Sequence, residues 1–79
     1  MSKILVIDDE RAIRNTLKEV LEYEKHEVDL AEDGIKGLEM FSANLYDVIL
    51  CDIKMAKMDG LEVLGKITET SSAIPVVMI

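Results

Sequence analysis

Strongly apolar runs alternate with amphipathic segments along the chain. The first run, residues 3–7 (KILVI), is apolar at consecutive positions and ends at Asp8 and Asp9. Such a run is typical of a strand that is buried on both faces of a parallel sheet. Residues 47–51 (DVILC) form a second run of this kind, which ends at Asp52. We therefore predict two central strands, each followed directly by carboxylate side chains.

A first helix is predicted between these runs, over residues 10–25, because apolar side chains recur there at helical spacing. We expect its apolar stripe to lie mostly in the core, with part of it uncovered if the chain lacks its final helix. The stripe consists of Ile13, Leu17, Val20 and Leu21. Aspartate is a favoured residue at helix N-termini. We expect Asp8 or Asp9 to cap this helix.

A second strand and helix follow. Residues 28–31 alternate between apolar and polar side chains, as in a strand that is less buried. Asp33 and Gly34 then turn the chain into a helix, and its apolar positions are Ile35, Leu38 and Phe41. Asn44 is expected to end this helix in the left-handed conformation.

A capping box predicts the start of a third helix, with Asp59 before the first turn and Glu62 inside it. The predicted apolar stripe of this helix consists of Leu61, Leu64 and Ile67. The residues expected to break it are Ser71, Ser72 and Pro75. Residues 76–79 (VVMI) then predict a fourth strand.

The element order β-α-β-α-β-α-β predicts an α/β fold, in which a parallel sheet carries helices on both faces. Right-handed crossovers place the first and third strands side by side at the centre of the sheet. At 79 residues the chain has room for one domain only, and it is shorter than the usual domain of about 100–150 residues.

Composition and charge narrow the function classes. The formal net charge of −7 argues against direct nucleic acid contact, which relies on Lys and Arg. No apolar run approaches the roughly 18 residues of a membrane span. Cys51 is the single cysteine, so no internal disulfide can form. Together with an N-terminus unlike a signal peptide, this predicts a cytoplasmic protein.

Three aspartates are the candidate functional residues. Ligands of open α/β sheets bind outside the carboxyl ends of the strands. Asp8, Asp9 and Asp52 all follow such ends, so we expect them to converge. Crowded carboxylates repel one another unless a cation lies among them, and Mg²⁺ prefers oxygen ligands. Such a site suits phosphoryl transfer to an aspartate nucleophile.

Three segments carry a resemblance to a known family: residues 3–10 (KILVIDDE), 47–52 (DVILCD) and 55–60 (MAKMDG). They resemble the receiver domain of two-component response regulators, and the likeness runs from residue 3 to residue 79. The resemblance implies a flavodoxin-like (CheY-like) sheet of five parallel strands in the order 2-1-3-4-5. Residues 1–79 would then form a single incomplete receiver domain, truncated after the fourth strand, with the order 2-1-3-4.

The resemblance also implies the roles of individual residues. Asp52 would be the phosphoacceptor, taking a phosphoryl group from a phosphohistidine of a sensor histidine kinase. Asp9 would bind Mg²⁺ directly and Asp8 through water. Asp52 and the main-chain carbonyl of Lys54 would be further ligands. The domain would not be an enzyme beyond its own phosphorylation and dephosphorylation.

Two departures from the family pattern stand out. Ala56 occupies the position where the family usually has proline, which should loosen the loop after the phosphoacceptor. A hydroxyl residue at the end of the fourth strand and a lysine at the end of the fifth would both fall after Ile79. We therefore expect the acidic half of the site to be present and the switching half to be missing.

Other functions stay open at this point. The main alternative is a truncated fragment that self-associates, by domain swapping or by pairing of the apolar edge Val76–Ile79. An aspartate-nucleophile phosphatase would need a second acid where Lys54 stands, and flavin binding would need a phosphate-cradling loop. We interpret the Lys54 and Lys57 side chains as solvated, and Cys51 as an inert buried residue.

Overall fold

The computed structural model describes residues 1–71 and 73–79. The strands are β1 (Lys3–Ile7), β2 (Glu27–Ala31), β3 (Val48–Cys51) and β4 (Val76–Met78). The helices are α1 (Arg11–Tyr23), α2 (Gly34–Ala43) and α3 (Gly60–Thr70). The strands form one parallel sheet in the order β2-β1-β3-β4. This confirms the predicted α/β fold, with β1 and β3 as central neighbours.

The sheet is covered on both faces, as predicted. Along β1, Leu5 and Ile7 belong to the larger core cluster, which includes side chains of α2 and α3. Ile4 and Val6 belong to a second cluster, against which leucines of α1 pack. Successive side chains of a strand point to opposite faces of the sheet. All side chains of an apolar run are therefore buried only when helices cover both faces.

Helix α1 is less buried than predicted. None of its residues is buried. Leu17 and Leu21 pack partly against the sheet, whereas Ile13 is exposed and Val20 is 56% exposed. At about 100° per residue, positions 17 and 21 lie on one side of the stripe and positions 13 and 20 on the other, so the sheet covers only one side of the stripe. The expected core placement is therefore confirmed for one side of the stripe and wrong for the other.

The predicted caps have different outcomes. The N-cap of α1 is Glu10, whose side chain makes no capping hydrogen bond, so the prediction of Asp8 or Asp9 as cap was wrong. The Asp8 carboxylate accepts a hydrogen bond from the Glu10 N–H at 2.8 Å, one residue before the helix. At α3 the cap is confirmed, because the Asp59 side chain accepts from the Glu62 N–H at 2.9 Å.

Asn44 does not take the predicted left-handed conformation. Its φ is −136° and its ψ is 163°, which is extended backbone. Its main-chain N–H and its side-chain amide both donate to the Met40 carbonyl, at 3.1 and 3.0 Å. These bonds cap the C-terminal end of α2 without a residue in the left-handed conformation. That conformation occurs instead at Lys25, which follows α1 with a φ of 68°.

The buried face of α3 differs from the predicted stripe. Ile67 is fully buried as expected, but Leu61 is exposed and Leu64 is only half-buried. The other fully buried side chain of α3 is that of Val63. Residues four apart lie on one helix face, so positions 63 and 67 define the face toward the sheet.

The C-terminal segment is close to the prediction. Helix α3 ends with Ser71 as its C-cap, while Ser72 lies outside the described residues. Strand β4 ends at Met78, one residue before the predicted end, and the Ile79 N–H still donates to the Cys51 carbonyl at 2.9 Å. β4 is an edge strand of the sheet. Within residues 1–71 and 73–79, no helix has the length and apolar character to cross a membrane.

Candidate functional site

The three predicted aspartates lie together at the carboxyl edge of the two central strands. Ile7 of β1 pairs with Cys51 of β3, and the Asp52 N–H donates to the Ile7 carbonyl at 2.9 Å. The next residues of both strands are therefore side by side. Carboxylate oxygens of Asp8, Asp9 and Asp52 lie within 4.8 Å of one another. We refer to these three side chains as the acidic cluster.

The members of the acidic cluster differ in their access to solvent. Asp8 is 2% exposed, Asp52 is half-buried and Asp9 is exposed. Burial raises the pKa of Asp8 above its ordinary value, and the charges of Asp52 and Asp9 raise it further. The Glu10 N–H and the Arg14 guanidinium act in the opposite direction on this pKa. A cation within the cluster would relieve the repulsion between the carboxylates.

This donor set fits a hard divalent cation. All three side chains offer carboxylate oxygens, which Mg²⁺ prefers, and the exposed Asp9 leaves one side of the cluster open to water. Mg²⁺ usually keeps several of its waters, so an open cluster suits it better than a closed cage. The predicted role of the Lys54 carbonyl stays a prediction, since no contact of the described residues bears on it.

The loop after β3 is drawn tightly against the start of α3. We call residues 52–59 the β3–α3 loop. The Gly60 N–H donates to the Ile53 carbonyl at 2.7 Å, which closes this loop. A Cβ at Gly60 would clash with the Asp52 carbonyl oxygen and lie 2.7 Å from the Ile53 Cα. Position 60 therefore requires glycine if α3 is to lie this close to the loop. This close contact holds the backbone of Asp52 in place.

Arg14 belongs to the site although the sequence did not point to it. Its guanidinium donates to the main-chain carbonyl of Asp8 at 2.8 Å. This bond ties α1 to the turn that carries two of the three aspartates. An arginine at a helical position is normally read as a solvated side chain. Nothing in the sequence shows that it reaches back to the end of β1.

The Lys57 side chain is solvated, in agreement with the interpretation of the sequence, and it also has a charged partner. Its side chain is 68% exposed, and its Nζ lies 3.5 Å from an Asp33 carboxylate oxygen. The pair borders a cleft of about 200 Å³ beside the acidic cluster. The cleft is lined by Asp9, Arg14, Glu32, Asp33, Ala56 and Lys57.

The interpretation of Cys51 as an inert residue agrees with its surroundings. The side chain is fully buried in β3, directly before Asp52. Burial raises the pKa of its thiol to about 11, with smaller contributions from Asp52 and Asp8. A thiol with such a pKa stays protonated near neutral pH, and thiolate is the reactive form.

Comparison with known proteins identifies the family. The model of the response regulator receiver domain matches residues 4–79. This chain belongs to that family. The resemblance of its acidic motifs is thereby confirmed.

Individual receivers are similar to this chain over nearly all of its length. Response regulator MprA of Mycobacterium ulcerans is 36% identical over 77 residues, which are 98% of this chain and 33% of that protein. Response regulator TrrA of Thermotoga maritima, solved in complex with Mg²⁺–BeF, has a TM-score of 0.95 and 41% identity. That comparison covers 99% of this chain and 68% of the TrrA chain.

A CheY-like receiver of Methanospirillum hungatei has a TM-score of 0.96 at 32% identity, over 99% of this chain and 62% of that one. These neighbours confirm the CheY-like fold. The chain spans about a third of the length of the curated relatives that it matches.

Proposed function

We propose that this receiver accepts a phosphoryl group on Asp52 from the phosphohistidine of a sensor histidine kinase. Mg²⁺ would be bound by Asp8, Asp9, Asp52 and the main-chain carbonyl of Lys54. The observation that carries the proposal is the convergence of the three carboxylates within 4.8 Å at the carboxyl edge of β1 and β3. Two structures of TrrA support it, one in complex with Mg²⁺–BeF and one in complex with the histidine kinase ThkA.

The reaction would proceed by nucleophilic attack of a carboxylate oxygen of Asp52 on the phosphorus atom. An oxygen–phosphorus bond forms as the phosphorus–nitrogen bond breaks, and the imidazole leaves with the electron pair and takes up a proton. Bound Mg²⁺ would neutralise charge on the phosphoryl oxygens. The half-buried position of Asp52 leaves its side chain accessible, while the main-chain bond from Asp52 to Ile7 holds its backbone still.

Asp8 and Asp9 would hold the cation rather than react. Asp8 is buried and its carboxylate is oriented by the Glu10 N–H, so its position is preset before the cation binds. Asp9 is exposed and able to bind from the solvent side. The Arg14 guanidinium, bound to the Asp8 carbonyl, keeps the turn that carries both residues against α1.

The wider role that we propose is that of a cytoplasmic signalling module, not an enzyme acting on separate substrates. One free, buried thiol suits a reducing compartment. The net charge of −7 is unsuited to direct binding of nucleic acid. Self-association through Val76–Ile79 stays a prediction, which sedimentation at several protein concentrations would test.

The decisive experiment is phosphorylation by phosphoramidate, whose phosphorus–nitrogen bond is of the type found in phosphohistidine. With Mg²⁺, the intact mass of the chain should rise by about 80 Da, the mass of one phosphoryl group. Asp52→Asn should abolish this gain. The matched control is Asp47→Asn, at the opposite end of β3, where Asn can still accept the hydrogen bond that the Lys3 N–H donates.

Metal removal gives the second arm of the experiment. Excess chelator should suppress the mass gain in the unmodified chain, and added Mg²⁺ should restore it. An unchanged mass for the folded chain with Mg²⁺, or an equal gain in Asp52→Asn, would refute the assignment of Asp52 as phosphoacceptor.

A further inference from the structure

The middle of the β3–α3 loop is weakly held by the main chain. The loop is closed at its ends, by the bond from Gly60 to Ile53 and by the bond from the Ile53 N–H to the Ile79 carbonyl at 3.3 Å. Between them, no main-chain hydrogen bond joins residues 54–58 to another described residue. Met55 and Met58 are half-buried against the core. The position of this segment therefore depends on side-chain contacts.

The start of α2 lies directly against this loop. A Cβ at Gly34 would lie 2.9 Å from the Met58 Cβ and 2.7 Å from a methyl group of Val63. The absence of a side chain at position 34 thus lets α2 approach both the loop and α3. Asp33, the N-cap of α2, is brought to the rim of the loop by this packing.

Asp33 uses its two carboxylate oxygens on two different elements. Oδ1 accepts the hydrogen bond from the Lys36 N–H at 2.8 Å and so caps α2. Oδ2 lies 3.5 Å from Nζ of Lys57 in the β3–α3 loop. The Asp33 side chain is 14% exposed. Because the cap already fixes this carboxylate, the ion pair needs to immobilise only the lysine, which reduces its entropic cost.

The ion pair and the acidic cluster share one cleft. Asp9 of the cluster lines the same cleft as Asp33 and Lys57. The loop that Lys57 belongs to begins at Asp52 and contains the Lys54 carbonyl. A change in the position of this loop is therefore a change in the geometry of the site.

We propose that Lys57 and Asp33 form a tether between the β3–α3 loop and α2 that positions the loop at the acidic cluster. Lys57 is thus a positioning residue for metal binding and for phosphorylation of Asp52. The inference rests on the function proposed above for that site.

Two substitutions remove the tether. Their direct effects on the charge beside the acidic cluster are opposite in sign, so an effect that both share reports on the tether. Lys57→Met keeps an unbranched side chain and removes the charge. Asp33→Asn removes the charge and keeps a good N-cap for α2. The control is Lys18→Met, which breaks the exposed Lys18–Glu22 pair on α1, where the charges are 3.9 Å apart. The three variants and the double variant at positions 33 and 57 are compared with the unmodified chain.

Amide hydrogen exchange of Gly60 reports on the loop directly, because this N–H closes it. We expect its exchange to be about twofold to fivefold faster in Lys57→Met and in Asp33→Asn, as loss of a partly exposed ion pair implies. The double variant should show no further increase. Exchange of amides in β1 should be unchanged, as should exchange of Gly60 in Lys18→Met.

Mg²⁺ binding by calorimetry and the rate of mass gain with phosphoramidate report on the site. Both single variants should bind Mg²⁺ about twofold to fivefold more weakly and should be phosphorylated more slowly by a similar factor. At 1 M salt the differences in Mg²⁺ affinity and phosphorylation rate between the unmodified chain and the variants should become smaller, because salt screens an exposed ion pair.

Each result decides a different point. Unchanged Gly60 exchange in both variants would refute the tether. Faster exchange with unchanged Mg²⁺ affinity and phosphorylation rate would refute the positioning role. An unmodified chain that neither binds Mg²⁺ nor gains mass would overturn the function itself, and the positioning role with it, whereas the hydrogen exchange would still measure the tether.

Discussion

Two glycines of α3 should respond in opposite ways to the same substitution. Gly60 begins the helix in contact with the β3–α3 loop, and Gly65 lies on its exposed side. A Cβ at Gly60 would meet the backbone of Asp52 and Ile53, whereas a Cβ at Gly65 has no neighbour within 4 Å. Neither glycine has a positive φ, so the backbone conformation accepts alanine at both positions.

The magnitude at Gly60 follows from the distance to Ile53. Two carbon atoms in favourable contact are about 3.5–4.0 Å apart, and the new Cβ would be 2.7 Å from the Ile53 Cα. Backbone must therefore move by about 1 Å. Overpacking of this kind typically costs about 1–3 kcal/mol. Gly65→Ala should instead stabilise the chain by about 0.5–1 kcal/mol, because alanine favours the helix.

Urea unfolding followed by circular dichroism measures both free energies of unfolding. In thermal unfolding, a chain of this size should shift by about 4–8 °C per kcal/mol. Phosphorylation by phosphoramidate should also slow in Gly60→Ala, since the Asp52 backbone is what the new methyl group displaces. If Gly60→Ala is as stable as the unmodified chain, or Gly65→Ala is equally destabilising, the close approach of α3 to the loop is not as described.

Two further substitutions test buried polar groups. Burial raises the pKa of Asp8 above its unfolded value, so the stability from this group is present at low pH and is lost as pH rises through the folded pKa. Asp8→Asn should therefore stabilise the metal-free chain at pH 7 but not below about pH 4. Urea unfolding measures this change, and a variant that is less stable than the unmodified chain at pH 7 would contradict the reasoning. Tyr46→Phe should cost about 1–2 kcal/mol in the same assay, because the buried Tyr46 hydroxyl donates to Asp29 at 2.7 Å. The control Tyr23→Phe, on an exposed side chain, should change nothing.

Much of this receiver could be predicted from its sequence, because the relevant signals are local. The consecutive apolar residues of β1 and β3 have no stable placement except between two helical layers. Once both strands are central and parallel, the residues after them must meet at one edge. The convergence of Asp8, Asp9 and Asp52 therefore followed from strand pattern and topology alone, and the structure brings them within 4.8 Å.

Features that depend on how elements approach one another were not predictable. The buried face of α3 is set by its packing on the sheet, so Val63 is buried and Leu61 is not, although both are apolar. The N-cap of α1 is Glu10, and the Asp8 carboxylate accepts its hydrogen bond in the turn before the helix. The propensity of aspartate for helix N-termini does not show which backbone N–H group its carboxylate will bind in the folded chain.

By itself, the sequence determined the order of the elements, the parallel sheet and the three carboxylates of the site, since each depends on the chemistry of neighbouring residues. Only the tertiary structure decided how the site is supported. Arg14 reaches the Asp8 carbonyl, Lys57 reaches Asp33, and α3 approaches Asp52 closely enough to require glycine at position 60. These contacts join segments that are distant along the chain, and their distances follow from the packing of whole elements, which no local pattern encodes.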